Sequence, residues 1–199
     1  MENNKYDIGI IGGGIAGLVA AATALEAGYR TILFESNIIG GKTFNGGDLY
    51  LNQFVQAIKT NSNQDVISLH KLFEQTERIK KQYIIQLFPF LNYHENFTLI
   101  NHKAEILDAN TIKSNNEKYK CRYIIIATGN KANKVDIDGI DNSLKQNITL
   151  YATDFNKLSN KAKKVAILGG GRIAFELAML LVDFGIKATV ISRGNSLSH

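Results

Sequence analysis

Apolar positions along the chain change their period several times, and two stretches change it in the same way. From Asp7, a short apolar run through Ile8, Ile10 and Ile11 leads to Gly12, Gly13 and Gly14. An alanine- and leucine-rich stretch follows to Leu25, then Gly28, and a second apolar run ends in Leu33 and Phe34. A short apolar run reads as a strand, and a longer stretch at helical spacing closed by a glycine reads as a helix with its C-terminal cap. The same succession returns at an offset of 157 residues, from Lys164 to Ser192: DIGIIGGGIAGLVAAATALEAGYRTILFE against KVAILGGGRIAFELAMLLVDFGIKATVIS. Self-similarity of this kind marks two copies of one supersecondary unit, and each copy predicts strand, helix, strand.

Between the copies the pattern is mixed. IIGGKTFNGGDLYLN reads as a glycine-rich loop leading into a helix through Phe54 and Ile58. A longer amphipathic helix is predicted from Val66, Leu69, Leu72, Phe73, Ile79, Tyr83 and Leu87, with Pro89 ending or kinking it. From Phe97 the period becomes that of short strands with polar turns: FTLI, AEILD, NTIKS and KYKCRYIIIATG. These predict a β-meander that feeds a buried strand. The expected fold is α/β. A Rossmann-like domain of parallel sheet plus meander fills residues 1–150, and the first βαβ unit of a second Rossmann domain fills residues 151–199. That second stretch is short and can bury little core by itself.

The glycines give each unit its chemistry. In GxGxxG the first glycine makes the tight turn, the second lets a pyrophosphate approach the backbone, and the third keeps helix and strand close. The helix start then offers unpaired N–H groups and a positive dipole end to phosphates. Gly12, Gly14 and Gly17 fill these places in the first copy, and Gly169, Gly171 and Ala174 in the second. Glu35 stands 23 residues after Gly12, placed to bind ribose hydroxyls; the same count from Gly169 reaches Ser192, followed by Arg193. A carboxylate repels a 2′-phosphate, whereas serine with arginine accepts one, so the second site leans towards NADP.

Composition narrows the field. Hydrophobic residues at 45% and charged residues at 21% are those of a globular chain. The net charge of +5 comes from scattered lysines, which argues for a solvated surface and against nucleic acid. Ile8 to Leu25 carries no charge, yet it follows Asp7, breaks at the glycines and stops at Glu26, so neither a membrane span nor a signal is expected. With Cys121 as its one cysteine, the chain forms no internal disulfide, and a cytoplasmic setting is expected. No metal site is expected.

The order of these motifs resembles the pyridine nucleotide-disulfide oxidoreductases. It is most similar to the branch of dihydrolipoamide dehydrogenase, mercuric reductase and glutathione reductase. The features that carry the resemblance are the first GxGxxG, GGKTFNGGD, a helical stretch, a meander ending in IIIATG, then GID and a second GGGxxAxE. The resemblance implies FAD contacts at Gly12, Gly14, Gly17, Glu35, Gly40 and Gly41, and at Thr128 and Gly129. Beside them it implies Ile15, Ala16, Ser36, Lys42, Thr43 and Ala127. For NAD(P)H, with NADPH favoured, it implies Gly169, Gly171, Arg172, Ile173, Ala174 and Glu176, together with Ser192 and Arg193. The implied activity is hydride transfer from NAD(P)H to FAD.

Two departures qualify that activity. The family's two redox cysteines fall on Thr43 and Asp48, neither of which can form a disulfide, and its lysine falls on Asn52. Glu176 is thereby expected to lack its lysine partner, remaining protonated or wet. The chain also stops at His199, before the rest of the nucleotide domain, the homodimer domain and the catalytic histidine of the family. His70, His94, His102 and His199 match no catalytic position and are expected in surface or packing roles. Two functions stay open: an oxidoreductase passing electrons to a non-disulfide acceptor, small molecule or carrier, or an inactive or truncated dinucleotide-binding module.

Overall fold

The computed structural model describes residues 5–45, 69–133, 135–146, 149–159 and 161–193. The chain divides into two compact units, one of Met1–Asn45 with Lys80–Lys131, the other of Gly46–Ile79 with Ala132–His199.

In the first unit, β1 (Lys5–Ile11), α1 (Ile15–Glu26) and β2 (Thr31–Phe34) form the first βαβ unit. A short helix α2 (Gly41–Asn45) follows, and α3 (Leu69–Asn92) ends in this unit. Four strands complete it: β3 (Phe97–Ile100), β4 (Ala104–Asp108), β5 (Thr111–Ser114) and β6 (Glu117–Ile126). The six strands make one sheet in the order β3-β2-β1-β6-β5-β4. β3, β2, β1 and β6 run parallel, while β4, β5 and β6 form an antiparallel meander.

FTLI therefore differs from expectation. It is not part of the meander but the parallel edge strand beside β2, with Leu33 opposite Leu99. Parallel neighbours need a crossover rather than a tight turn, and the chain between β2 and β3 includes α3. Pro89 does not end that helix, which continues to Asn92. Leu91, 1% exposed in the core on the α1 side, anchors the last turn and offsets the hydrogen bond that proline cannot donate.

All four residues of β2 are buried, because the strand is covered on both faces. Leu33 joins Ile10, Leu18, Ala21 and Leu25 in one core, and Ile32 and Phe34 join Tyr6, Ile112, Tyr119 and Cys121 in the other. Gly9 makes the second core possible: a Cβ there would lie 2.5 Å from Cys121 Sγ and 2.7 Å from Ile112 Cδ1. β6 belongs to both halves of the sheet, since Lys120 is paired with Thr111 of β5 and with Lys5 of β1. Its C-terminal half is not the buried strand expected. Tyr123 and Ile126 are exposed, and β5 ends its pairing at Lys120, leaving that edge of β6 without a strand among the described residues.

In the second unit, α4 (Ile140–Lys145) and a 3₁₀ turn (Ala152–Lys157) precede β7 (Lys164–Leu168), α5 (Arg172–Asp183) and β8 (Lys187–Ile191). β7 and β8 pair in parallel, as the repeat predicts. Their core does not come from the βαβ unit alone: Leu72 and Phe155 are buried with Ile167, Ala174, Leu177, Leu180 and Leu181. Phe73 meets Phe155 edge to face at 5.7 Å. Among the described residues no helix is long and apolar enough to cross a membrane.

Candidate functional site

The parallel sheet reverses its winding at β1, with β2 on one side and β6 on the other, and the crevice of such a sheet opens at the carboxyl ends of these strands. Three segments meet there. Gly12 has φ +108°, and its N–H donates to Phe34 O at 2.8 Å. A Cβ on it would strike the carbonyl oxygen of Ala127 and come within 3.0 Å of Thr128 Cα. The N–H of Ala127 in turn donates to Ile11 O at 2.8 Å. A Cβ on Gly17 would strike the carbonyl oxygen of Gly12. Both residues are glycine because the protein's own backbone fills the space.

Gly14 is glycine for another reason. It caps α1 in an extended conformation with no side-chain hydrogen bond, and a Cβ on it would meet nothing within 4 Å. The N–H groups of Ile15, Ala16 and Gly17 lie in the first turn of that helix, where no intrahelical acceptor exists. The exposed Ile15 and Ala16 flank this opening. An open space over uncapped N–H groups at a dipole's positive end is a fit for a pyrophosphate.

Glu35, 8% exposed, borders the same loop. Its Oε2 accepts the N–H of Gly13 at 2.6 Å and its Oε1 accepts the N–H of Asn37 at 2.7 Å. An ionised carboxylate has about four acceptor positions, so two remain for hydroxyl donors such as those of a ribose. Ser36 is exposed beside it and accepts from Asn37 Nδ2 at 3.1 Å.

The loop after β2 forms a second wall. The N–H of Gly40 donates to Gly13 O at 2.8 Å, Gly14 and Gly40 bridge like parallel strands, and a Cβ on Gly41 would lie 3.0 Å from Gly14 Cα. Lys42 is exposed on this wall. Thr43 contributes backbone to α2, its side chain being outside the described set, and Asp48 and Asn52 lie outside the described residues. The structure thus brings Gly12, Gly14, Gly17, Glu35, Gly40, Gly41, Ala127 and Thr128 together, with exposed Gly129 at φ +64° just beyond. Sequence reasoning missed Asn45, whose Nδ2 donates to Ile39 O at 3.1 Å and Gly41 O at 2.9 Å. The signal that could have found it is the family resemblance, because the asparagine of GGKTFNGGD falls where the family's redox motif also carries asparagine.

The second unit repeats the first loop with changed chemistry. Gly169 has φ +124°, and its N–H donates to Ile191 O at 2.9 Å, matching the bond from Gly12 to Phe34. Gly171 caps α5 without a side-chain bond and leaves open space, as Gly14 does. A Cβ on Gly170 would lie 2.8 Å from Ser192 Oγ, so Ser192 faces the middle glycine as Glu35 faces Gly13. Ala174 is buried in the core, whereas Arg172, Ile173 and Arg193 are exposed. Glu176 is wet, one of the two outcomes expected, and has a cation beside it that the sequence reading does not assign. It is neither buried nor unpaired: its side chain is 28% exposed and its Oε1 lies 3.6 Å from Arg172 Nη1, one helical turn away.

Other candidate groups sit apart from both loops. Cys121 is 2% exposed, and burial pushes its thiol up to about 11, the state of an inert core thiol. His94 Nδ1 accepts the N–H of Asn96 at 3.3 Å, and His102 is exposed; His199 lies outside the described residues.

Comparison with known proteins agrees with this geometry. A family model described as "Pyridine nucleotide-disulphide oxidoreductase" matches residues 6–198. The chain is 28% identical to a dihydrolipoyl dehydrogenase of Acholeplasma laidlawii, over 95% of this chain and 60% of that protein. It is 26% identical to a mercuric reductase of Lysinibacillus sphaericus, over 99% of this chain and 38% of that protein. Among solved structures it resembles the HOCl-induced flavoprotein disulfide reductase RclA of Escherichia coli, at a TM-score of 0.77 and 25% identity, over 96% of this chain and 43% of that one. The chain spans 60% or less of the length of these relatives.

Proposed function

Because the chain belongs to the pyridine nucleotide-disulphide oxidoreductase family, we propose that it binds FAD in the first unit and NADPH in the second. As an oxidoreductase it would pass electrons to an acceptor other than a protein disulfide. The flavin, when bound, supplies the hydride and electron chemistry that no side chain of this protein can supply.

The observation that carries the proposal is the open space over Gly14 beside the buried Glu35 carboxylate, whose remaining acceptor positions match ribose hydroxyls. The N–H groups of Ile15, Ala16 and Gly17 hold the pyrophosphate. Gly40, Gly41, Lys42 and Thr43 form the wall beside it, Ser36 lies by the ribose, and Ala127, Thr128 and Gly129 close the third side. In the second unit Gly169, Gly171, Arg172 and Ile173 present the corresponding loop, and Ser192 with Arg193 accepts the 2′-phosphate. Glu176 holds Arg172 at the helix start. The acceptor is a small molecule or an electron carrier, since Thr43 and Asp48 stand where the family's thiols stand and neither can attack a disulfide.

A second reading, a nucleotide-binding module without turnover, draws on the same absence of thiols. One experiment separates the two: the visible spectrum of the purified, FAD-loaded chain before and after NADPH under anaerobic conditions. Bleaching of the flavin band supports the oxidoreductase. A flavin band indifferent to NADPH supports the module, and a chain that takes up no flavin overturns both.

A further inference from the structure

We infer that Asn45 is the positioning residue that holds the second wall of the flavin cradle and thereby governs how slowly FAD leaves. This inference rests on the flavin reading above. The wall turns on two consecutive glycines in the left-handed region, Gly40 at φ +97° and Gly41 at φ +61°. Glycine has the most conformational freedom to lose, so such a turn does not hold its shape unaided. Asn45 spans it. The two N–H bonds of its amide reach the carbonyls of Ile39 and Gly41, on either side of Gly40. Gly40 in turn carries the contacts with the phosphate loop, through its N–H to Gly13 O and its bridge to Gly14. Phe44 closes the other side, 2.9 Å from where a Gly40 Cβ would sit. Both donors of the amide are engaged within the loop, so Asn45 acts through Gly40 and need not touch the cofactor. The aspartate isostere would carry no donor when ionised and would set a charge against two carbonyl oxygens.

The test is the FAD release rate of the full chain, followed by the rise in flavin fluorescence on dilution. Asn45→Ala, which adds no charge, should speed release about ten-fold at any pH, the effect of losing two hydrogen bonds. Asn45→Asp should speed it on the order of a hundred-fold at neutral pH. It should slow again as pH falls from about 5 to about 4, the ordinary aspartate range, as the introduced carboxyl takes up a proton and regains one donor. The native rate should change little over that range. Release from Asn45→Asp that ignores pH marks general loosening and overturns the inference, as do native rates in both variants. If Asn45→Asp fails to fold, the alanine variant decides by its rate alone. A native chain that takes up no FAD overturns the flavin reading and this inference together, whereas native uptake with unchanged release overturns this inference alone.

Discussion

Glu35 has two jobs that one substitution can separate. Its carboxylate accepts N–H bonds of 2.6 Å from Gly13 and 2.7 Å from Asn37 while 8% exposed, so it organises the phosphate loop before any ligand arrives. Glu35→Gln keeps the shape, leaves one acceptor and turns an amide donor against the other N–H. A hydrogen bond to a charged group contributes about 1.5–3 kcal/mol, and a buried donor left unpaired costs a similar amount. The apo chain should therefore lose about 2–3 kcal/mol of stability, seen as a lower urea midpoint at unchanged slope. The carboxylate's remaining acceptor positions serve the ribose. Loss of the charge should weaken FAD binding by about 1.5 kcal/mol beyond the stability effect, or roughly ten-fold in Kd. Urea unfolding of the apo chain reads the first effect, and flavin titration well below the midpoint reads the second. A variant with the native urea midpoint would refute the hydrogen-bond reasoning, and native affinity in a destabilised variant would refute the ribose role.

Other expectations concern the core and the second loop. Gly9→Ala should destabilise the chain by about 1–3 kcal/mol, because its Cβ would lie 2.5 Å from Cys121 Sγ, and urea unfolding should recover part of that loss in a Cys121→Ala background. Burial holds the Cys121 thiol up to about 11 against 9.0; the Tyr119 phenol is held up to about 12 against 10.0 by burial and its bond to Glu117. Both raised values favour the neutral form in the folded chain. Their contribution is whole below pH 9 and is lost as pH climbs through 11 and 12, so stability should fall across that window, and less steeply in Tyr119→Phe. Ellman's reagent should leave Cys121 unmodified at about pH 8 until the chain unfolds; prompt labelling of the native chain would contradict its burial. Arg193→Ala should weaken NADPH binding about ten-fold and leave NADH unchanged, and equal affinity of the native chain for both would remove the 2′-phosphate role.

The parts legible in the sequence are those whose physics is local. Each βαβ unit is legible because strand, glycine turn and helix follow one another within a few turns of chain; Gly12 and Gly169 stand where the turn takes a positive φ, and Gly17 where the helix backs onto the carbonyl of Gly12. Glu35 was legible by spacing, but its bonds to Gly13 and Asn37 were not, since they depend on how the next loop folds back. The place of FTLI is not legible because strand pairing is non-local: its apolar pattern fits the edge of the parallel sheet as well as a meander. The cation beside Glu176 is legible in principle, since Arg172 stands four residues before it, at the spacing of helix-surface neighbours. The helix expected through Phe54 and Ile58 lies outside the described residues, as do Val66 and Asp48.

The pairing of β1 with β6 bears on how the molecule is made. The turn at Gly12 is finished only when the carbonyl of Ala127 arrives beside it, and Ile11 is joined to Ala127 by a hydrogen bond. Everything from α1 through the meander is synthesised in between. Such high contact order makes for slow folding, because the entropy of closing the loop is lost before the contacts that reward it form. A nascent chain still short of Thr128 has its phosphate loop and its Glu35 but not the strand that sets them. On the ribosome, therefore, flavin capture should be a late event that follows emergence of IIIATG from the exit tunnel, and excess FAD during synthesis should not hasten it.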